Sequence, residues 1–259
     1  MTKTTIHPTA IVDPKAQIGA GCTIGPYCVV GPDVVLGARC VLHSHVVIDG
    51  HTVLGEANEI YPFAAIGLKT QDLKWKGGTT CTRIGDFNTI REHVTIHSAT
   101  GDGECTIVGS NNNLLAGAHV AHNVVLGDNI IMSNVGTLAG HVIVEDHAVI
   151  GGVAAIHQFC RIGKMAIVGG CSKVVQDVPP FMMADGNPAT TRTINKIGMT
   201  RNGVSEEAQA ALKQAYKILF RSGLTIPNAL KQMEAELPQL PEVQHLIQFT
   251  RGSERGIGK

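Results

Sequence analysis

The stretch LLAGAHVAHNVVLG (residues 114–127) sets two histidines, His119 and His122, three apart in a run that is otherwise apolar, small or glycine. Each imidazole carries two polar nitrogens that need partners, so an apolar strand has little use for them. Eighteen residues past His122 stands Gly140, and eighteen further stands Gln158, with His119, His141 and His157 flanking that series. A chain that returned to one edge every eighteen residues would bring four imidazoles, a glycine and a glutamine into one outward-facing cleft. Histidine, with an ordinary pKa of about 6.5, suits general-base work. A hydroxyl or amine attacking a thioester needs such a base and a donor for the developing oxyanion. The backbone N–H of Gly140 could be that donor, since no side chain obstructs it. Zinc is the competing chemistry for clustered histidines. Here, however, HVAH spans a corner and parts His119 from His122, and no carboxylate near them completes a ligand set, so no metal is expected.

A repeating element is written in the apolar pattern, with a step of six, of which eighteen is three. Steps of six from Ile6 reach Val12, Ile18, Ile24, Val30, Leu36, Leu42, Ile48, Leu54, Ile60 and Ile66 without a break. The row resumes at Ile84, Ile90 and Ile96, and again from Val108 to Val174. A row of small residues lies four positions after the aliphatics, including Ala10, Ala16, Cys22, Cys28, Cys40, Ala118, Ala148, Ala154 and Cys160. Glycine often follows the aliphatic, as in Ile18-Gly19 and Leu126-Gly127, which suits a tight corner. Neither the helical period of 3.6 nor simple alternation explains a strict six. A short strand and a turn, repeated and stacked, does.

Two breaks in the row, 67–83 and 97–107, predict loops that leave the wall, where function tends to collect. The first holds the single Trp and the polar cluster Gln71, Asp72 and Lys74; the second begins at His97. Past Val174 the text changes to a Pro-rich exit segment (176–198). Three helices follow: one from Ser205 stopping at Gly223, one opened by Pro227 to about Leu237, and one opened by Pro241 to about Thr250. The domains expected are a solenoid over 1–185 and a helical unit over 186–259 that covers its open end, with a loose tail, RGSERGIGK.

Composition narrows the class. Charged residues make up 16% and aromatics 4% of 259 residues, with 30 glycines, which argues against a disordered tail protein. Basic and acidic residues balance at 21 each, so no general attraction to nucleic acid or membrane is implied. The cysteines number seven, with no CxxC pair, and four fall in the small row; free buried thiols are expected rather than a disulfide framework. No apolar leader and no 18-residue apolar run is present, so the expectation is a cytoplasmic protein without membrane insertion.

The hexads resemble the hexapeptide-repeat family, an all-β left-handed parallel β-helix of triangular section, here with a C-terminal α-helical domain. HPTAIV (7–12), TQDLKW (70–75), NTIREHVTIH (88–97), AHVAH (118–122), LAGHV (138–142), AAIHQFC (154–160) and VGGCSKVVQDVPPF (168–181) carry a closer likeness. Along nearly the whole chain these stretches are similar to the UDP-N-acetylglucosamine O-acyltransferases of lipid A synthesis. The resemblance implies transfer of an (R)-3-hydroxyacyl chain from acyl carrier protein to the 3-position of UDP-N-acetylglucosamine. It implies His122 as general base and Gly140 as oxyanion donor. Gln71, Asp72, Lys74, His97, His119, His141, His157 and Gln158 would contact substrates, with Asn195 and Arg201 near the diphosphate. Gly170 would govern acyl length, glycine favouring a long chain. It further implies a homotrimer and no cofactor beyond the carrier's phosphopantetheine. By charge, basic residues such as Lys173, Arg192 or Arg221 are expected to meet the acidic carrier.

Three departures from the family pattern stand out. Asn123 replaces the Asp that often follows the catalytic histidine, Arg201-Asn202 stands where some members have an arginine pair, and Pro188 replaces a histidine. An Asn orients an imidazole without lending it charge. A related acyltransferase acting on a 3-amino sugar, and a solenoid scaffold without catalysis, stay open as alternatives.

Overall fold

The computed structural model describes residues 3–258. From Thr5 to Val174 the chain alternates short strands, most of two residues, with four-residue corners. Successive strands join three sheets in rotation, parallel except for one last strand of the first; among the described residues the sheets hold 11, 9 and 8 strands. Ile6 pairs with Ile24, Val12 with Val30 and Ile18 with Leu36, eighteen apart in each case. The architecture is the left-handed parallel β-helix that the hexads imply.

Each coil stacks its aliphatics on the coil below. From Ile24 to Val174 every aliphatic of the six-step row is at most 4% exposed. Burial of each contributes about 1.5–3 kcal/mol before conformational entropy is set against it. Among the described residues no coil underlies the first one, and Ile6 stays 46% exposed. The glycines after the aliphatics serve a different purpose from the one expected. A Cβ on Gly19 would lie 2.5 Å from the carbonyl carbon of Gly37, and one on Gly37 would lie 2.4 Å from that of Gly55. Neighbouring backbones pass too close for a side chain. The left-handed torsion that turns the corner falls two residues later, on Tyr27, His45, Asn123 and His141 among others.

Across the two row breaks the register shows what has been added. Ile66 pairs with Ile96, thirty residues on, and Ile96 with Val120, twenty-four on. Against a normal eighteen, the insertions are twelve and six residues, both whole hexads, so the phase survives. Both leave the edge between the second and third sheets, the first after Ala65–Leu68 and the second after Thr95–His97. In these coils the small row turns to asparagine: Asn88 donates its backbone and side-chain N–H to Asn58 Oδ1, and Asn112 donates its backbone N–H to Asn88 Oδ1.

At the foot of both loops the cysteine expectation fails in part. Cys81 and Cys105 face each other in paired strands and form a disulfide. They are 24 residues apart and become neighbours only because the insertion between them is six residues long. Cys22, Cys28, Cys40 and Cys160 are buried and free as expected, and burial pushes the Cys160 thiol up to about 11.

At the C-terminal end the exit segment is more ordered than its prolines suggested. Met182–Gly186 adds a parallel strand to the first sheet and returns antiparallel on Ala189–Ile194. Helices α1 (Lys196–Arg201), α2 (Glu206–Arg221), α3 (Ile226–Glu236) and α4 (Pro241–Arg251) follow. The expected boundaries of the last three hold within a residue or two, and Ser205 caps α2 by accepting the Ala208 N–H. Leu212, Leu219, Met233 and Leu246 close over Met165, Phe181 and Met182 of the last coils. The tail is pinned rather than loose. Ser253 donates to the Asp177 carboxylate at 2.7 Å, Arg255 donates to Val175 O, and Ile257 bridges to Asp177. The last coil's unpaired edge supplies the reason.

The disulfide is open to a direct count. Alkylation of the unfolded, unreduced chain should label five thiols, and reduction should raise that to seven. Seven labels without reductant would contradict the pairing.

Candidate active site

His122 lies at a corner between the second and third sheets, following the strand His119–Val120. Gly140 occupies the same corner one coil on: a Cβ there would sit 2.3 Å from His122 Cε1 and 2.5 Å from Nε2. Any side chain at 140 would push the imidazole out of this position. The Gly140 N–H finds no acceptor among the described residues. Other coils place Pro14 and Pro32 at this corner position, so the fold does not need that N–H.

Both inserted loops close on this corner. Asp72, from the first, holds Oδ2 3.8 Å from His122 Nε2, although no carboxylate was expected near the histidines. The sequence separation of 50 residues hid it, and only the twelve-residue loop carries it up to the next coils. Asp72 Oδ1 accepts the Lys74 N–H at 2.9 Å, and the Asp72 N–H is donated to Thr70 Oγ1. Thr70 and Thr100 share a 2.8 Å hydroxyl bond that ties the two loops together.

On the other side of the ring, His122 Nδ1 lies 3.0 Å from Asn123 Oδ1. Asn123 Oδ1 also accepts the Thr100 N–H at 3.0 Å, while Asn123 Nδ2 donates to Glu104 Oε2 at 2.6 Å. A backbone N–H requires an oxygen opposite it and a carboxylate requires a donor, so the carboxamide has one orientation. A proton shared between ring and amide therefore belongs to Nδ1, which leaves Nε2 as the bare nitrogen whenever the ring is neutral.

Of the flanking histidines, His119 and His141 gather near His122, and His97 joins them. His119 Nδ1 shares a 2.7 Å bond with Thr95 Oγ1, and its ring centroid lies 5.4 Å from that of His97. His141 packs edge-on to His122 at 5.3 Å and stacks on Phe159 at 4.8 Å. Burial, helped by neighbouring imidazoles, holds His97, His119 and His141 below histidine's ordinary range. They are hydrogen-bonding groups near neutral pH, not cations. His97 is 8% exposed, and its Nδ1 has no partner. His157, Gln158, Gln71 and Lys74 are exposed, and Gln158 follows Gly140 at the same corner one coil further on.

Three candidates lie elsewhere on the chain. Gly170 sits at the edge between the first and second sheets, where an added Cβ would meet only Gly152. Asn195 is buried as the N-cap of α1, with Nδ2 donating to Met165 O and Oδ1 accepting the Gly198 N–H. Its side chain is thus committed to the fold. Asn195 and Arg201 line a cleft of about 490 Å³ beside the first sheet, with Ile131, His147 and Met183. Sequence reading missed Glu104, Thr95 and Phe159. The whole-hexad length of the second insertion was the available signal for Glu104.

Comparison with known proteins shows the family. The family model described as Udp N-acetylglucosamine O-acyltransferase, domain 2, matches residues 177–258, and that of bacterial transferase hexapeptide (six repeats) matches 3–37 and 15–50. The acyl-[acyl-carrier-protein]–UDP-N-acetylglucosamine O-acyltransferase of Thermodesulfovibrio yellowstonii is 50% identical over 254 residues, 97% of this chain and 98% of that one. The structure of LpxA from Acinetobacter baumannii superposes with a TM-score of 0.95 at 46% identity, covering 98% and 99% of the two chains. That of LpxA from Bacteroides fragilis does so at 0.95 and 39%, covering 98% and 100%. With half of its residues shared along almost its whole length, the chain belongs to the family of acyl-[acyl-carrier-protein]–UDP-N-acetylglucosamine O-acyltransferases.

Proposed function

We propose that this chain moves an (R)-3-hydroxyacyl group from the phosphopantetheine thiol of acyl carrier protein to the 3-hydroxyl of UDP-N-acetylglucosamine, the first step of lipid A synthesis. The observation that carries the mechanism is the bare Nε2 of His122 beside the uncommitted N–H of Gly140. As the sugar oxygen attacks the thioester carbonyl, His122 Nε2 takes its proton. The carbonyl oxygen becomes an oxyanion within reach of the Gly140 N–H. Collapse breaks the C–S bond, and the leaving thiolate takes the proton back from the imidazolium. Atoms and charge balance without a cofactor, and none is invoked.

Asp72, 3.8 Å from Nε2, is placed to orient the incoming hydroxyl and to favour the transient imidazolium. The half-buried neutral histidines and the unpartnered His97 Nδ1 offer hydrogen bonds to sugar and pantetheine. Arg201 suits a diphosphate through its guanidinium fork. Arg201 and Gly170, however, lie at other faces and edges of the same chain than His122. A homotrimer, in which one copy's His122 edge meets a neighbour's α1 region, would unite them. The buried Asn195 side chain would then act by holding the start of α1 in place. Among the described residues no helix is long and apolar enough to cross a membrane, which is compatible with work in the cytoplasm on a soluble carrier.

His122→Ala should leave assembly and thermal unfolding close to wild type while lowering acyl transfer by roughly 10²- to 10⁴-fold. Activity within tenfold of wild type would remove His122 as the base. For acyl length, Gly170→Met fills the side that now meets only Gly152, at 3.3 Å. Competition among hydroxyacyl carriers of graded length should then favour shorter chains by several carbons, and an unchanged profile would place the length limit elsewhere.

A further inference from the structure

His122 and Asn123 lead to a charge that neither possesses. Asn123 sits at a corner with φ of 60°, a left-handed conformation that Asn accepts more readily than most residues. Its carboxamide makes three contacts: His122 Nδ1 and the Thr100 N–H at Oδ1, and Glu104 Oε2 at Nδ2. Glu104 is itself held, accepting the Gly101 N–H at 2.9 Å through the same oxygen. The 2.6 Å Asn123–Glu104 contact is in the range of charge-assisted bonds, which outlast neutral ones. The row runs ring, amide, carboxylate, with each donor facing an acceptor.

We infer that Glu104, acting through the Asn123 carboxamide, is the positioning residue of the base: it fixes the His122 tautomer and supplies negative charge behind the imidazolium. This rests on His122 being the base. Asn123 alone would orient the ring without charge; the inserted loop restores the charge one residue further out. As the ring gains a proton at Nε2, the Nδ1–H bond strengthens, polarising the amide toward Glu104. Glu104 is solvent-exposed, so its effect is screened and moderate. The other titratable groups around the ring are Asp72 on the first loop and His97, His119 and His141 on neighbouring coils, with Lys74 outside them. None of these bonds to Nδ1.

The test uses the full-length enzyme with saturating acyl carrier. Glu104→Gln keeps shape and hydrogen bonding but removes the charge. It should lower kcat by about three- to tenfold, leave KM for UDP-N-acetylglucosamine unchanged, and move the acidic limb of kcat/KM to lower pH. In Glu104→Gln with Asn123→Asp, the new amide can donate to the new carboxylate, placing the charge directly on Nδ1. That double variant should recover most of kcat and return the limb toward higher pH. If Glu104→Gln matches wild type in kcat and pH profile while His122→Ala is inactive, the relay is wrong and the base stands. A loss in Glu104→Gln that follows a lowered unfolding temperature and is not recovered in the double variant also rejects the relay. An active His122→Ala would reject the base and the relay together.

Discussion

Everything in this molecule depends on one steric condition: every sixth residue must bring an aliphatic side chain into a narrow three-sided interior already occupied by the coils above and below. That condition explains the near-zero exposure of the row from Ile24 to Val174 and the glycines whose missing Cβ lets backbones pass. It also restricts what an insertion can be. Added residues must leave at a corner and return in phase, and the loops here obey it with twelve and six residues.

Catalytic geometry follows from the same condition. A corner residue has no role in the interior, so its identity is free for chemistry, yet its backbone is held rigidly by the strands on either side. Stacked corners set the His122 ring directly against Gly140. Because both loops emerge at this edge one and two coils below, Asp72 and Glu104 arrive on opposite nitrogens of one ring, directly for Nε2 and through Asn123 for Nδ1. The disulfide Cys81–Cys105 and the Thr70–Thr100 bond tie these loops to each other as well as to the wall. The base is thus prepared before substrate binds, which is where much of a catalytic advantage resides.

Much of this could be read from the chain, and what could not has a physical cause. Period six gave the solenoid because core burial imposes it residue by residue. The eighteen-step series gave His122 and Gly140 because coils without insertions repeat faithfully. That arithmetic fails wherever a loop intervenes: Cys81 and Cys105 looked unrelated, and Asp72 and Glu104 looked remote from His122, since their positions depend on loop paths. The tail and the 182–194 hairpin escaped notice for another reason. They answer to an unpaired strand edge, a demand made by the rest of the fold and not by their own residues. Asn123 was legible as a departure but not as a relay, because its partner lies in the shorter loop.

The central claim is that neutral His122 exists as one tautomer, protonated on Nδ1 and bare on Nε2. Nitrogen-15 NMR of the imidazole in the free enzyme, at a pH where the ring is neutral and with the signal assigned by its loss in His122→Asn, reads this directly. The account predicts a protonated-type Nδ1 and an unprotonated-type Nε2. A proton on Nε2, or two averaged nitrogens, would contradict it.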